Sequence, residues 1–336
     1  MSSDKFKIGF IGIGGMAANH TKAMKGFADV EFSAFCDVRL EAAEKMAAEH
    51  GGKAFAKPAD MFQNVKLDAV FLLLPPFAHG EPELLALKHK VPFFVEKPVG
   101  NDAGLIREIS QEVEKSNVLS CVGYMNRHRK SVLRAKELLA ENPPVVAYGG
   151  WLGGGAGKRP KLADAGIGSW WGNKAKSGGQ IVEQCTHTFD VARFLLGDAV
   201  EVFSYATKAF SDPHPGYTMD DASAVNIRFK NGAVATLFSS VQTPVGGVFL
   251  NVHSVAETFR FSGWEHSVKI EHTGGWKEEI AGEDDIFGKE DRIFIDAIKQ
   301  KTPAAIRSPY PDGAKTALLT LAAEESIRTG KPVTLL

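Results

Sequence analysis

Residues Ile8–Ala17 read IGFIGIGGMA. An apolar run breaks into glycines and is followed at once by a helix-like segment. Gly12-Ile13-Gly14-Gly15-Met16-Ala17 fits the pattern G-x-G-x-x-A. In that pattern the first glycine makes a tight turn. The second lets a pyrophosphate approach the backbone, and the small third residue lets helix and strand pack closely. The helix behind the loop offers free N–H groups and the positive end of its dipole to phosphate. A glycine pattern alone says little. Here a strand precedes it, a helix follows, and an acidic residue closes the next apolar run.

That residue is Asp37, after Phe32–Cys36. A carboxylate there accepts the two ribose hydroxyls and repels a 2′-phosphate, so NAD is expected over NADP. Arg39, two residues on, softens that preference. The plainer alternative is a glycine turn in an α/β fold that binds no nucleotide.

Outward from this loop, the first 125 residues alternate apolar runs with helical patterns, as a doubly wound parallel sheet does. The runs are Phe6–Ile13, Phe32–Cys36, Ala69–Leu74, Phe93–Val95 and Val118–Val122. Between them lie Met16–Phe27, Leu40–His50, Glu81–His89 and Asp102–Lys115. Ala69–Leu74 reads AVFLLL, continuous as a strand covered on both faces requires. A chain of 336 residues favours two domains, because single cores rarely grow past roughly 250–300 residues. After residue 125 the texture changes. A linking helix Arg129–Ala140 leads to a strand Val145–Trp151, a Gly-rich loop Gly153–Gly168 and a helix Gly179–Leu196. Strand patterns then run from Val200 to Ile280, with Asn231-Gly232 as a hairpin signal. Helices return at Lys289–Lys299 and Asp312–Thr329. The expected fold is α/β: a Rossmann domain over 1–125, then an α+β domain over 126–336 with an open, mostly antiparallel sheet. The C-terminal helix is a candidate to pack back on the first domain.

Hydrophobic residues make up 44% and charged residues 24%, with a formal net charge of −1. Nothing in that balance points to nucleic acid or to a membrane surface as a partner. Cys36, Cys121 and Cys185 are far apart and form no CxxC. The N-terminal apolar run is short and lacks a cleavage signature, so a reduced, cytoplasmic setting is expected.

Two further segments carry chemistry. Phe93–Val95 ends in Glu96-Lys97-Pro98, which puts Lys97 at the carboxyl end of a strand, where ligands sit in this fold. Taken alone, such a lysine is as well explained by simple solvation. Residues 177–190 read SGGQIVEQCTHTFD. Glu183 and His187, four apart on one helix, share a face, and Asp190 is placed to orient the His187 ring. The same pair is also readable as an ordinary surface pair. Their spacing suits a metal, but no third ligand cluster accompanies them, so no metal is expected. Trp170 and Trp171, with Trp151, flank the Gly-rich loop and offer faces to sugar C–H surfaces. Asn126, Arg127 and Lys174 are candidates for binding hydroxyls or a carboxylate. His214, His253, His266 and His272 have no motif around them.

Taken together, GIGGMA at 12–17, Asp37, LPPFAH at 74–79, EKP at 96–98, GYMNRH at 123–128, GGQIVEQCTHTFD at 178–190 and the tail from Asp312 resemble the Gfo/Idh/MocA oxidoreductases. The resemblance runs in order along nearly the whole chain. It implies hydride transfer between nicotinamide and a hydroxyl or keto carbon of a sugar, sugar derivative or cyclitol. It implies catalysis by Lys97, Glu183 and His187, with Glu183 standing where many members have Asp. Leu74, Pro75, His79 and Glu96 join residues 12–17, Asp37, Arg39 and Lys97 as expected cofactor contacts. Asn126, Arg127, Trp170, Trp171, Lys174, Glu183 and His187 are expected to line the substrate. The family's open sheet often forms an oligomer interface, so a homodimer or homotetramer is expected. Either His187 or Lys97 can serve as proton acceptor. Two alternatives stand beside the dehydrogenase: a glycoside-cleaving enzyme working by transient oxidation and elimination, and a non-catalytic nucleotide-binding regulator.

Overall fold

A computed structural model describes residues 5–153, 167–208, 216–243 and 245–335. Most of the Gly-rich loop Gly153–Gly168, and His214, lie outside the described residues. The chain divides into two compact units. One contains residues 1–125 and 285–314, the other 126–284 and 315–336.

The first unit opens with β1 (Phe6–Ile11), α1 (Gly15–Ala23), β2 (Val30–Cys36), α2 (Leu40–His50), β3 (Lys53–Phe55) and α3 (Pro58–Asn64). It continues with β4 (Ala69–Leu72), α4 (Glu81–Lys88), β5 (Phe93–Val95), α5 (Ala103–Ser116) and β6 (Ser120–Val122). The strands order β3-β2-β1-β4-β5-β6, all parallel. The order reverses between β1 and β4, the switch point at which such sheets bind ligands. Every residue of β4 is buried, as its unbroken apolar run requires. α5 is capped by Asp102, whose Oδ1 accepts the Leu105 N–H at 2.9 Å, and it buries Ile106, Ile109 and Val113 on one face. β3 and α3 escaped the sequence reading. A three-residue edge strand and a seven-residue helix are too short for periodicity to mark.

The second unit opens with α6 (Lys130–Glu141), β7 (Pro144–Leu152), α7 (Lys174–Ser177), α8 (Gln180–Glu183) and α9 (Thr186–Leu196). β8 (Ala199–Thr207), β9 (Ala222–Phe229), β10 (Val234–Ser240), β11 (Gly247–Ser254), β12 (Glu257–Ser262), β13 (Ser267–His272) and β14 (Lys277–Ile280) follow. α10 (Ile286–Gln300) lies in the first unit, and α11 (Tyr310–Thr329) starts there and continues into the second. β15 (Val333–Thr334) joins the second sheet, whose order is β14-β13-β12-β11-β7-β10-β9-β8-β15. Among the described residues, β7 and β10 alone pair in parallel in this sheet. Leu139 of α6, Phe189 and Leu195 of α9 and Leu319 of α11 share a core with Val225, Leu237, Leu250 and Phe259 of the strands. The strands bury alternate residues, while Val146, Tyr148, Tyr205 and Val234 are exposed. At the hairpin, Gly232 takes φ +91° and Asn231 Oδ1 accepts the Ala233 N–H, as the Asn-Gly pair foretold.

Two expectations change. Residues 285–314, expected in the second domain, belong to the first unit, where Phe294 packs edge-on against Phe71 and Phe94. An amphipathic pattern tells which face of a helix is buried, not which sheet buries it. The helix expected over Gly179–Leu196 is two helices. The Cys185 N–H bonds to Gln180 O, and the Thr188 N–H to Cys185 O, so the i→i−4 ladder breaks at Gln184–Cys185. Among the described residues, no helix is long and apolar enough to cross a membrane.

Candidate active site

In the first unit the dinucleotide loop has the features its sequence foretold. Gly12 takes φ +93°, and a Cβ there would meet Leu73 O at 2.4 Å, so only glycine fits. At Gly14 and Gly15 an added Cβ would meet nothing within 4 Å, so space stays open beside the loop. Gly14 caps α1 without a side-chain bond, and the first turn holds no acidic residue. The N–H groups of Gly15, Met16 and Ala17 and the helix dipole are thus left for an anion. Asp37, at the end of β2, accepts the Ile13 N–H on Oδ2 at 2.8 Å. Its Oδ1 accepts the Arg39 N–H at 2.9 Å and Arg39 Nε at 3.3 Å. An open glycine loop, an uncapped helix end and a carboxylate at the second strand fit a bound NAD.

After β4, Leu74 and Pro75 lead into a short 3₁₀ turn ending at His79. His79 Nδ1 lies 2.6 Å from Glu83 Oε1, and Glu83 Oε2 accepts the Gly80 N–H at 2.7 Å. The ring is buried and held by α4. Glu96, expected at the cofactor, is also buried. Its Oε1 lies 3.2 Å from His20 Nε2 and its Oε2 accepts the Lys97 N–H at 3.0 Å. The carboxylate is thereby turned into the protein. Lys97 follows directly at the end of β5 and is half-buried.

In the second unit, Glu183 ends α8 and His187 lies in the first turn of α9, both buried. Trp171 Nε1 donates to Glu183 Oε2 at 2.8 Å. The His187 ring stands edge-on to Trp264 at 5.3 Å and beside Trp151 at 6.4 Å. Trp151 and Trp264 themselves meet at 5.4 Å. Glu183 at the end of α8 thus has one indole partner, and His187 in the first turn of α9 lies beside two others. Trp170 adjoins Trp171 and is half-buried. Trp264 was missed from sequence. The one signal was a tryptophan in the turn between β12 and β13, in a chain with only five.

The other expected substrate contacts are engaged elsewhere. Arg127 grips Asp190 through two bonds, Nε to Oδ2 at 2.8 Å and an η nitrogen to Oδ1 at 2.6 Å. Thr316 also donates to Asp190 at 2.8 Å. Asp190 was expected to orient His187; its carboxylate instead serves Arg127 and Thr316. Asn126 accepts from Arg129 Nε at 2.7 Å and is fully buried. Lys174 bridges Asp220 and Glu324, each at 2.5 Å. Burial pushes the Glu324 carboxyl up to about 7, against the pull of Lys174. Among the described residues, no group of His, Cys, Asp or Glu side chains converges as a metal site.

A glycine loop and a strand-end carboxylate at the switch point of a six-stranded parallel sheet define a dinucleotide-binding protein of the Rossmann class. Residues 6–124 match the profile of the oxidoreductase family with an NAD-binding Rossmann fold, and residues 156–264 match the GFO/IDH/MocA C-terminal domain. The chain belongs to the GFO/IDH/MocA family. It is an oxidoreductase whose first domain has the family's NAD-binding Rossmann fold. A myo-inositol 2-dehydrogenase of Thermotoga maritima is 25% identical over 344 aligned positions, covering 98% of each chain. An NAD-binding oxidoreductase of Klebsiella pneumoniae superposes with a TM-score of 0.88 at 21% identity, over 99% of this chain and all of that one. A levoglucosan dehydrogenase bound to NADH and levoglucosan superposes at 0.84 with 17% identity, over 98% of this chain and 99% of that one.

Proposed function

We propose that the protein transfers a hydride between NAD and a ring carbon of a sugar, sugar derivative or cyclitol. The observation that carries this reading is that Glu183 pairs with the Trp171 indole and His187 lies against the rings of Trp264 and Trp151. Aromatic faces pack on the C–H surfaces of a polyol, while carboxylate and imidazole take its hydroxyls. The relatives support the same substrate class, one being named for myo-inositol and one for levoglucosan.

When bound, NAD supplies the hydride acceptor at its nicotinamide ring. The chain's own residues do the rest. The N-terminus of α1 would hold the pyrophosphate and Asp37 the adenosine ribose, which together would orient the dinucleotide. His187 takes the hydroxyl proton, since an imidazole exchanges protons near neutrality. Lys97, as an ammonium, stabilises charge developing on the reacting oxygen. Glu183 accepts a neighbouring hydroxyl and is held for that by the Trp171 N–H. Arg127, Asn126 and Lys174 stay with their protein partners and shape the second unit rather than the substrate.

The test is a screen of inositols, hexoses, anhydrosugars and aryl glycosides with NAD and with NADP, read at the reduced-nicotinamide absorbance and at that of the free aglycone. NAD reduction by one polyol group is the expected result. No reduction by any of them sinks the reading. Release of a free aglycone without net NADH means redox-assisted elimination instead. The exposed Val146, Tyr148, Tyr205 and Val234 of the second sheet suit a second copy of the chain. A monomeric mass by light scattering would rule that out.

A further inference from the structure

His20 lies on the second turn of α1 with no solvent exposure. Its Nδ1 is 2.8 and 3.1 Å from the two oxygens of Asp291, on α10. Its Nε2 is 3.2 Å from Glu96 Oε1. Both ring nitrogens thus face carboxylates, and only an imidazolium donates from both. Burial opposes the charge, but Asp291 and Glu96 outweigh it and raise the pKa to about 10. The rings of Phe71, Phe94 and Phe287 flank the imidazole at 5.2–5.8 Å and hold it in one plane.

Glu96 is equally confined. A Cβ on Gly123 would meet its carboxyl carbon at 3.0 Å, so the end of β6 leaves room for this group and little else. With Oε1 at His20, Oε2 accepts the Lys97 N–H. One side chain therefore links the helix that starts at the dinucleotide loop to the backbone of the reactive lysine. Stability alone does not call for this. Apolar residues at positions 20, 96 and 291 together would fill the space without desolvating an imidazolium and two carboxylates.

We propose that His20 is a positioning residue for the reaction: it locks the Glu96 carboxylate against the Lys97 backbone and so fixes the lysine relative to the bound dinucleotide. This rests on the reading of Lys97 as the group that stabilises the reacting oxygen. His20 touches neither substrate nor cofactor and acts only through Glu96.

The experiment compares full-length wild type, His20→Phe, Lys97→Met and the double variant. The expected result for His20→Phe is a kcat lowered about tenfold or more, with polyol KM and NADH affinity within about threefold, because only the transition state uses the exact lysine position. In the Lys97→Met background the same change should cost nothing further, since a residue acting only through Lys97 has no effect once it is gone. A folded His20→Phe with wild-type kcat overturns the proposal, as does a loss that multiplies with that of Lys97→Met. Where His20→Phe does not fold, Glu96→Gln serves, keeping the shape and an oxygen for the Lys97 N–H. Its kcat should fall with NADH affinity kept, and an unchanged kcat overturns the proposal. If wild type itself reduces no NAD with any polyol, the dehydrogenase reading fails. The pH dependence of Lys97 acetylation, read by peptide mass spectrometry, then decides alone. A changed profile in the variant supports the positioning role, and identical profiles overturn it.

Discussion

The Asp37 carboxylate accepts the Ile13 N–H at 2.8 Å, so the group proposed to meet the ribose also fastens the glycine loop to the end of β2. Its other oxygen holds Arg39. Replacing Asp37 by Ala removes the ribose acceptor and frees the guanidinium. The expected outcome is a fall in kcat/KM for NAD of about 10–100-fold, the worth of a hydrogen bond to a charged group. NADP should lose less or gain. Steady-state rates with both cofactors check this, and an unchanged preference would falsify the role of Asp37.

Lys97→Met keeps the stem of the side chain and removes its charge. The expected outcome is a kcat lowered about 10²–10³-fold, as for loss of one group aimed at a developing oxyanion. NADH titration by fluorescence should give an affinity close to wild type. Turnover near the wild-type rate would remove Lys97 from the chemistry.

Trp171→Phe keeps an aromatic ring and deletes the N–H that holds Glu183. The lost bond is worth about 1.5–3 kcal/mol, so kcat/KM for the polyol should fall roughly tenfold or more. The melting temperature should change little, because the ring remains. A drop in stability with normal kinetics would make the contact structural.

Arg127→Met should act in the opposite way. It leaves Asp190 without its bidentate partner in a fully buried setting. The expected loss of stability is about 3–5 kcal/mol, typical of a broken buried pair. Denaturant unfolding checks it. A large rise in polyol KM at unchanged stability would return Arg127 to the substrate.

His20 predicts a pH effect on stability. Its pKa is raised from 6.5 to about 10 in the folded protein, where Asp291 and Glu96 outweigh its burial. Between those values the folded state holds a proton the unfolded chain has lost. The contribution is therefore full below pH 6.5 and is lost as pH rises through about 10. Unfolding free energies at pH 6.5 and 9.5 should converge in His20→Phe relative to wild type. Parallel pH dependence in the two proteins would contradict a folded-state imidazolium.

The dinucleotide loop was legible because its signals are local. Gly12, Asp37 and Lys97 each lie within a few residues of a strand end, and an unbroken apolar run such as β4 announces a doubly covered strand. The second unit was less legible. The segment from Gly179 to Leu196 has helical periodicity throughout, and nothing in it reveals the break at Gln184–Cys185. Trp264 carries no motif, and only the β12–β13 turn brings it to His187.

By itself the sequence determined the parallel α/β sheet, the glycine loop, the acidic residue closing the second strand and the strand-end lysine, because turn chemistry and side-chain periodicity act over a few residues. The tertiary structure alone decided the long-range partnerships. It paired Arg127 with Asp190, 63 positions away, and His20 with Asp291, 271 away. It also assigned residues 285–314 to the first unit. A buried charge demands a partner, but its position in the chain does not say which one. That choice is made only when the packed core brings one of several carboxylates within hydrogen-bonding distance.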